Sequence, residues 1–192
     1  MSFYFRPFPT VNYSHKKNKN FELLTNITLR YKVKEIVKQQ KTIYYDYVIK
    51  DSDRPDIIAY KYYKDETLDW ILLITNDIID PYYDWPLSQE GFNAYMKSLY
   101  GSVSTSQTTV YEYRKVLTNQ SVRNDGSVIP KRTVVVDLNT YNSLPATDRE
   151  IIYAYDYYLE QNDAKRNIKI LDKRFVNQLT RDVEVLFSEI QV

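Results

Sequence analysis

The chain has 192 residues, a formal net charge of +1, one histidine and no cysteine. A balanced charge does not indicate binding to nucleic acid or to an anionic membrane, and the lack of cysteine excludes disulfides, zinc–thiolate sites and cysteine catalysis. The longest strongly apolar run, residues 70–74, is too short to span a membrane. We expect no signal peptide, and a soluble protein made inside a cell.

Tyrosine is unusually frequent, with 20 residues in the chain. Its apolar ring and polar hydroxyl suit surfaces that are wet in one state and covered in another. Aromatic residues are also enriched at the cores of protein interfaces. An AT-rich coding bias is a second explanation for the composition, and we expect that both operate.

The N-terminal residues 1–24 are predicted to form an extended aromatic arm, because prolines and closely spaced aromatic residues exclude a helix. An arm this apolar packs either on its own domain or on a neighbouring protein. We predict that Phe3, Phe5 and Phe8 are interface residues.

The next elements follow from local patterns. Apolar residues at helical spacing predict a helix over 26–40, and a β-branched and aromatic run predicts a strand over 43–49. Asp53 is a plausible N-cap for a helix over 53–63, and a second helix is predicted to end at Asn76 in a left-handed conformation. The residues predicted to form the core of this helical pair are Ile58, Tyr62, Leu68, Trp70, Ile71 and Leu72.

The second helix of this pair is apolar on nearly every side. A helix of this kind is buried on more than one side, and a two-helix unit covers only one side by itself. The other side therefore requires a third element or a partner. The two apolar stripes are Leu68, Ile71, Leu72 and Thr75, and Trp70, Leu73 and Ile74.

A rigid aromatic corner is predicted after these helices, where Asp80 and Pro81 begin a turn and Tyr82, Tyr83 and Trp85 follow. A tryptophan here could fill the core, stack on a sugar, or insert into a partner pocket. We assign Tyr82, Tyr83 and Trp85 to an interface, and Trp70 mainly to the core.

The remaining elements alternate between polar turns and apolar segments. Ser88 is the predicted cap of a helix, 101–109 the best linker candidate, and Pro130 indicates an irregular or edge strand. A capping-box spacing predicts a helix from Thr147. The predicted elements are a helix over 88–99, a hairpin of strands 110–117 and 128–138 with its turn at 124–126, the helix from 147, a strand over 168–171 and a final helix from 172.

The sequence contains no clear catalytic, metal-binding or cofactor-binding motif. His15 lies in a polar loop where nothing places an orienting carboxylate or an oxyanion hole, and three glycines are too few for a phosphate loop or a dinucleotide motif. The aspartates form two groups in the sequence, Asp51, Asp53 and Asp56, and Asp77, Asp80 and Asp84. Helix capping and turn formation explain these groups more simply than calcium binding or sugar hydrolysis. We therefore predict a non-enzymatic protein without metal or cofactor.

Two resemblances carry the functional interpretation. The strand near 45–49, the two helices and Trp85-Pro86-Leu87 resemble a LysM module, a strand-helix-helix-strand unit best known for binding N-acetylglucosamine polymers. More narrowly, the chain resembles the LysM-containing baseplate wedge protein of contractile-tailed phages. The motifs that carry this narrower resemblance are Arg54-Pro55, Trp70-Ile71-Leu72-Leu73, Asn76-Asp77, Asp80-Pro81-Tyr82-Tyr83, Trp85 and Ser88-Gln89-Glu90, with further similarity around Arg30, Tyr44, Asn162 and Arg166.

This resemblance implies a structural role in the virion, at the tail baseplate, after assembly in the host cytoplasm. It implies that the protein joins neighbouring wedges and contacts the wedge-core heterotrimer and the sheath-initiating wedge subunit. Peptidoglycan or N-acetylglucosamine binding is the alternative function, although we do not expect residual glycan binding. The fold class is α+β, with an arm and helix over 1–43, a LysM-like module and following helix over 44–100, and a β-hairpin with C-terminal helices over 101–192.

Overall fold

The computed structural model describes residues 5–14, 21–33 and 40–189. It is an α+β fold, as predicted. The strands are β1 (Thr10–Tyr13), β2 (Glu22–Thr25), β3 (Tyr44–Val48), β4 (Val110–Thr118), β5 (Ser121–Val122), β6 (Val128–Ile129), β7 (Arg132–Val136), β8 (Arg149–Tyr153) and β9 (Asn167–Leu171). The α-helices are α1 (Pro55–Tyr63), α2 (Asp69–Thr75), α3 (Pro81–Asp84), α4 (Gln89–Tyr100), α5 (Val103–Thr108), α6 (Leu138–Ser143), α7 (Ala154–Ala164) and α8 (Val176–Glu189).

The chain divides into two compact units. The first combines Met1–Pro86 with Lys165–Val192, and the second is Leu87–Ala164. The second unit is therefore inserted into the sequence of the first.

The first unit is built on the antiparallel pair β3–β9, in which Tyr47 lies opposite Ile168. Its helices begin where the sequence supplies suitable residues: Pro55 occupies the first turn of α1, and the Asp65 carboxylate caps the 3₁₀ turn that leads into α2. The described residues of this unit form two hydrophobic clusters. One contains Ile49, Ile58, Ala59, Leu72, Ile168 and Ile170, and the other contains Phe8, Leu68, Trp70, Ile71, Leu171, Val176, Val183 and Phe187.

The second unit contains the antiparallel sheet β7–β4–β8. Phe92 and Met96 of α4 and Ala154 of α7 are fully buried, and Ser88 caps α4 as predicted. A tyrosine cluster also belongs to this unit, with Tyr111 stacked on Tyr157 at a ring-centroid distance of 3.9 Å. The other rings in the cluster are Tyr95, Tyr100 and Tyr158.

Several local predictions are confirmed. β3 and β9 coincide closely with the predicted strands, and the chain is irregular at Pro130, between β6 and β7. The final helix follows Asp172, whose carboxylate caps the 3₁₀ turn before α8.

Other predictions are wrong because tertiary pairing or a local cap overrides the pattern. The helix predicted over 26–40 is absent from 26–33, where the Asn26 carboxamide accepts a hydrogen bond from the Thr28 N–H; residues 34–39 lie outside the described residues. The helix predicted from Thr147 begins only at Ala154, as α7, because residues 149–153 pair with β4 as β8. The predicted linker 101–109 contains α5, which Ser102 caps.

The helical pair also differs in three details. Arg54, instead of Asp53, is the N-cap of α1. Asn76 has a φ of −104°, and the left-handed residue after α2 is Asp77. Trp85-Pro86-Leu87 is not a strand, and the strand that follows the two helices and pairs with β3 is β9.

Candidate protein interface

The aromatic corner predicted at residues 80–85 is a short helix, α3, with strong local hydrogen bonding. The Asp80 carboxylate accepts from the Tyr82 N–H at 2.9 Å. The Asp84 carboxylate accepts from the N–H groups of Ile79 and Asp80, both at 3.0 Å. These backbone hydrogen bonds favour the charged form and lower the pKa of Asp84. Both ends of the corner are therefore fixed by carboxylates.

Trp85 ties this corner to the core of the first unit. Its indole Nε1 donates a hydrogen bond to the Asp53 carbonyl at 3.1 Å, and its ring packs against the cluster around Ile58. Trp85 was predicted to be an interface residue, but its half-buried ring is turned toward the protein's own core. Its clear role in this structure is to hold α3 in place.

The carboxylate of Asp53, the residue whose carbonyl binds Trp85, is buried and accepts several hydrogen bonds. It accepts from the Tyr47 hydroxyl at 2.6 Å, from the Lys61 ammonium at 2.7 Å and from the Lys50 N–H at 3.1 Å. Burial alone would raise the pKa of Asp53, but these hydrogen bonds outweigh burial and lower it. Burial and the neighbouring carboxylate raise the pKa of Tyr47 to about 12. This network makes the support of the corner rigid.

Tyr82 and Tyr83 project from this rigid support into solvent. Their side chains are 80% and 70% exposed, and their rings contact each other edge to face at 4.9 Å. The Lys165 ammonium donates to the Tyr83 carbonyl at 2.7 Å, which restrains the backbone beneath the rings. Two large, pre-positioned aromatic side chains are typical anchors for a protein partner.

An apolar groove of about 740 Å³ extends from the N-terminal arm to this corner. Phe5 of the arm and Pro81 of the corner both line it, so two predicted interface segments share one surface. The apolar stripe of Trp70, Leu73 and Ile74 on α2 also lines this groove. The sequence predicted that this side of the helix needs a third element or a partner to cover it. The other apolar lining residues are Ile27, Leu29, Tyr31, Trp70, Leu73, Ile74, Ile78 and Ile79, and the charged ones are Arg30, Lys32, Asp69 and Asp77.

The β1–β2 ribbon is a second exposed apolar surface. All of its strand residues are exposed, and Val11 lies opposite Leu24 on one of its faces. Leu23 and the adjacent Phe21 are each 67% exposed. In the part of the chain that the structure describes, no third strand pairs with this ribbon.

The other predicted residues are divided between surface and core. Phe5 is 53% exposed, whereas Phe8 is buried against Phe187 at a ring-centroid distance of 4.4 Å; the structure thus moves Phe8 from the predicted interface to the core. Phe3 lies outside the described residues. Tyr62, predicted in the core, is 41% exposed. The remaining core predictions, Ile58, Leu68, Trp70, Ile71 and Leu72, are all buried.

The sequence did not predict the long-range hydrogen bonds of two asparagines. The Asn76 side chain donates to the Lys169 carbonyl at 2.8 Å and accepts from the Lys169 N–H at 2.7 Å. In the second unit, the buried Asn162 accepts from the Leu87 N–H at 2.7 Å and donates to the Leu87 carbonyl at 3.0 Å. Their partners are distant in sequence, so no local pattern could identify them.

Among the described residues, the Asp and Glu side chains form no group of three or more that could hold a metal ion. His15 lies outside the described residues. Among their helices, none is both long enough and apolar enough to cross a membrane.

Comparison with known proteins decides the family. Residues 3–125 match the model of a family described as base plate wedge protein 53. The chain belongs to this family. It is also 29% identical over 150 residues to the baseplate wedge protein gp53 of Enterobacteria phage T4, which covers 71% of this chain and 70% of the relative. Neither match supports the alternative function of peptidoglycan binding.

Membership of the base plate wedge family confirms several predictions. The protein is a structural subunit of a phage baseplate wedge, its family is not a known enzyme family, and it is a component of the virion tail that interacts with other baseplate subunits. The matched residues include the whole lining of the apolar groove and all of α3.

Proposed function

We propose that this wedge subunit joins neighbouring wedges of the baseplate, and that the apolar groove and the Tyr82–Tyr83 corner form its docking surface. The observation that carries the proposal is the exposure of two adjacent tyrosine rings on a rigid support. Burial of such rings contributes strongly to association because each covers about 150–250 Å² and loses little conformational entropy. The partners that we propose for this surface are the wedge-core heterotrimer and the sheath-initiating wedge subunit.

The groove supports the same proposal in a second way. Ile79 is 63% exposed and Leu73 and Ile74 are half-buried, so the groove between Phe5 and Pro81 presents several apolar side chains beside its charged lining residues. Exposed apolar surface in a groove is characteristic of a site that another protein covers. A partner that contacts the corner would thus also cover the exposed side of α2.

The test is the joining of purified wedges in vitro by the full-length protein. We expect the double variant Tyr82→Ala/Tyr83→Ala to keep the melting temperature of the parent within a few degrees, because both side chains are exposed. Its apparent affinity for wedges should fall by a factor on the order of 30 or more, the effect of losing an interface anchor. The matched control is Tyr60→Ala, which removes a tyrosine that is 57% exposed on α1. Wild-type joining by the double variant would refute the assignment of the corner.

A further inference from the structure

The three-stranded sheet of the second unit ends at β7. Among the described residues, β4 is the only strand that pairs with β7. In an antiparallel sheet, every second residue of an edge strand directs its N–H and C=O groups away from the neighbouring strand. Part of the backbone of β7 therefore points to the outer edge of the sheet, where a further strand can form hydrogen bonds with it.

The side chains of β7 are apolar on both faces of the sheet. Val134 and Val135 point to opposite faces because successive residues of a strand alternate, and they are 45% and 59% exposed. The opposite edge of the sheet differs, because every residue of β8 is half-buried. β7 is thus the edge of this sheet where exposed apolar side chains and outward backbone groups coincide.

The features that protect this edge lie only at its beginning. Natural sheets protect their edges from other chains with prolines, charged residues and bulges. Pro130, Lys131 and Arg132 come together at the start of β7, and the pairing with β4 shifts register at the same end. Residues 133–136 are a threonine and three valines, without any of these features. This unprotected β-branched stretch is explained if another chain covers it in the assembled baseplate.

The length of the edge favours a segment of another subunit over a second copy of this chain. The five residues of β7 span about 17 Å, which is too short for the roughly 800 Å² that each partner buries in a stable complex. A segment of a subunit that is also bound elsewhere needs less area, because its tether raises its effective concentration. The protein interacts with other baseplate subunits, and these are the source of such a segment.

We propose that β7 accepts an extended segment of a neighbouring baseplate subunit as a fourth strand of this sheet, and that this segment has aliphatic or β-branched residues at successive positions. Backbone hydrogen bonds along the outer edge hold the segment, and its side chains cover Val134 on one face and Val135 on the other. β7 lies beyond the family-matched residues 3–125. The inference therefore goes beyond the proposed docking surface and does not rest on it.

The experiment measures binding of the full-length protein to purified wedges that lack it. Val135→Lys places a charge in the new strand pair and should keep the melting temperature within a few degrees, because the side chain is mostly exposed. We expect this variant to weaken binding by about tenfold or more, the effect of losing two or three cross-strand contacts. The matched control Val122→Lys introduces the same charge at a position on β5 that is 66% exposed, and should bind as the parent does.

Hydrogen exchange of the backbone amides is a second and more direct measurement. In the free protein, the outward N–H groups of β7 should exchange rapidly because solvent reaches them. Binding of the parent protein to wedges should slow the exchange of residues 132–136 by about tenfold or more, since the added strand accepts hydrogen bonds from these groups. The exchange of residues 121–122 on β5 should not change.

The outcomes distinguish this inference from the proposed corner. Weaker binding by Val135→Lys together with slower exchange in β7 would support strand addition, whatever the Tyr82→Ala/Tyr83→Ala variant does. Parental binding by Val135→Lys, equal weakening by Val122→Lys, or unchanged exchange of residues 132–136 would each overturn it. A dimer of the free protein that Val135→Lys dissociates would also overturn it, because a second copy would then be the occupant.

Discussion

At the scale of single residues, this protein uses polar side chains to connect segments that are far apart in sequence. Asn76 pairs with both backbone groups of Lys169, 93 positions away, and also donates to the Leu72 carbonyl at 2.8 Å. A carboxamide can satisfy one N–H and one C=O group at the same time. Asn76 therefore joins the end of α2 to the outer edge of β9, a role that its position after a helix could not predict.

Removal of this carboxamide should destabilise the first unit. Asn76→Ala leaves the Lys169 backbone groups without their partner, and the free energy of unfolding should fall by about 1–3 kcal/mol. Urea denaturation followed by circular dichroism would measure the change. Asn139→Ala, on the exposed surface of α6, is the control and should change the stability by less than about 0.5 kcal/mol. An equal, small effect of both variants would contradict the bridging role of Asn76.

Asp53 leads to a prediction about pH. Because its folded-state pKa is lowered from the ordinary 3.8, the unfolded chain binds a proton more readily than the folded chain does. The stability that Asp53 contributes is thus complete above pH 3.8 and is lost as the pH falls through the folded-state pKa. Asp53→Asn should be less stable than the parent at pH 7, and this difference should shrink below about pH 4. Urea denaturation at pH 7, 5 and 3 tests it; a difference that is constant with pH would contradict the charged network.

At the scale of elements, the sequence predicts best those segments whose signal is local. Ser88 and Asp172 cap the helical segments that follow them, and the stripe of Leu68, Ile71, Leu72 and Thr75 is buried as expected. The wrong predictions occur where pairing with a distant segment determines the local structure. The residues after Thr147 carry a helix-capping pattern, yet they pair with β4 as β8, and only the fold reveals this pairing.

The N-terminal arm shows the same limit, because its sequence does not reveal which aromatic residues turn inward. Phe8 is buried in the cluster around Trp70, whereas Phe5 is mostly exposed at the groove. Phe8→Ala should lower the free energy of unfolding by about 3–5 kcal/mol, because it leaves a cavity against Phe187. Phe5→Ala, a matched change three residues earlier, should cost less than about 1 kcal/mol. Thermal and urea denaturation of both variants would test this; similar losses would show that the arm docks as a whole.

The candidate interface was only partly predictable for a related reason. Tyr82 and Tyr83 could be selected from the sequence because a proline-bounded turn places aromatic residues at the surface. Trp85 belongs to the same motif, but its ring is directed toward the core by the Asp53 carbonyl, a contact across 32 residues. The shared groove of Phe5 and Pro81 also depends on packing between distant segments, and no periodicity in the sequence could indicate it.

At the scale of the whole molecule, the main feature is that one unit interrupts the other. The pair β3–β9 is formed only when segments on either side of the second unit come together. The resemblance to a LysM module implied a strand-helix-helix-strand order that closes at residues 85–87. Instead, the two helices and their closing strand are separated by residues 87–164, and long-range pairing of this kind carries no local signal.

This arrangement predicts different behaviour for two fragments. Fragment 1–86 lacks β9 and α8, and with them Ile168, Ile170 and Phe187, so both hydrophobic clusters of the first unit lose essential members. Fragment 87–164 keeps its sheet, the buried Phe92 and Met96, and the Asn162–Leu87 hydrogen bonds at its two ends. We expect fragment 1–86 to be unfolded by circular dichroism and fragment 87–164 to show a cooperative thermal transition.

Addition of a 165–192 peptide to fragment 1–86 should restore part of its helical signal, because it supplies β9 and α8. A cooperative transition of fragment 1–86 alone would show that the first unit does not depend on the β3–β9 pair, and would contradict the interrupted organisation described above.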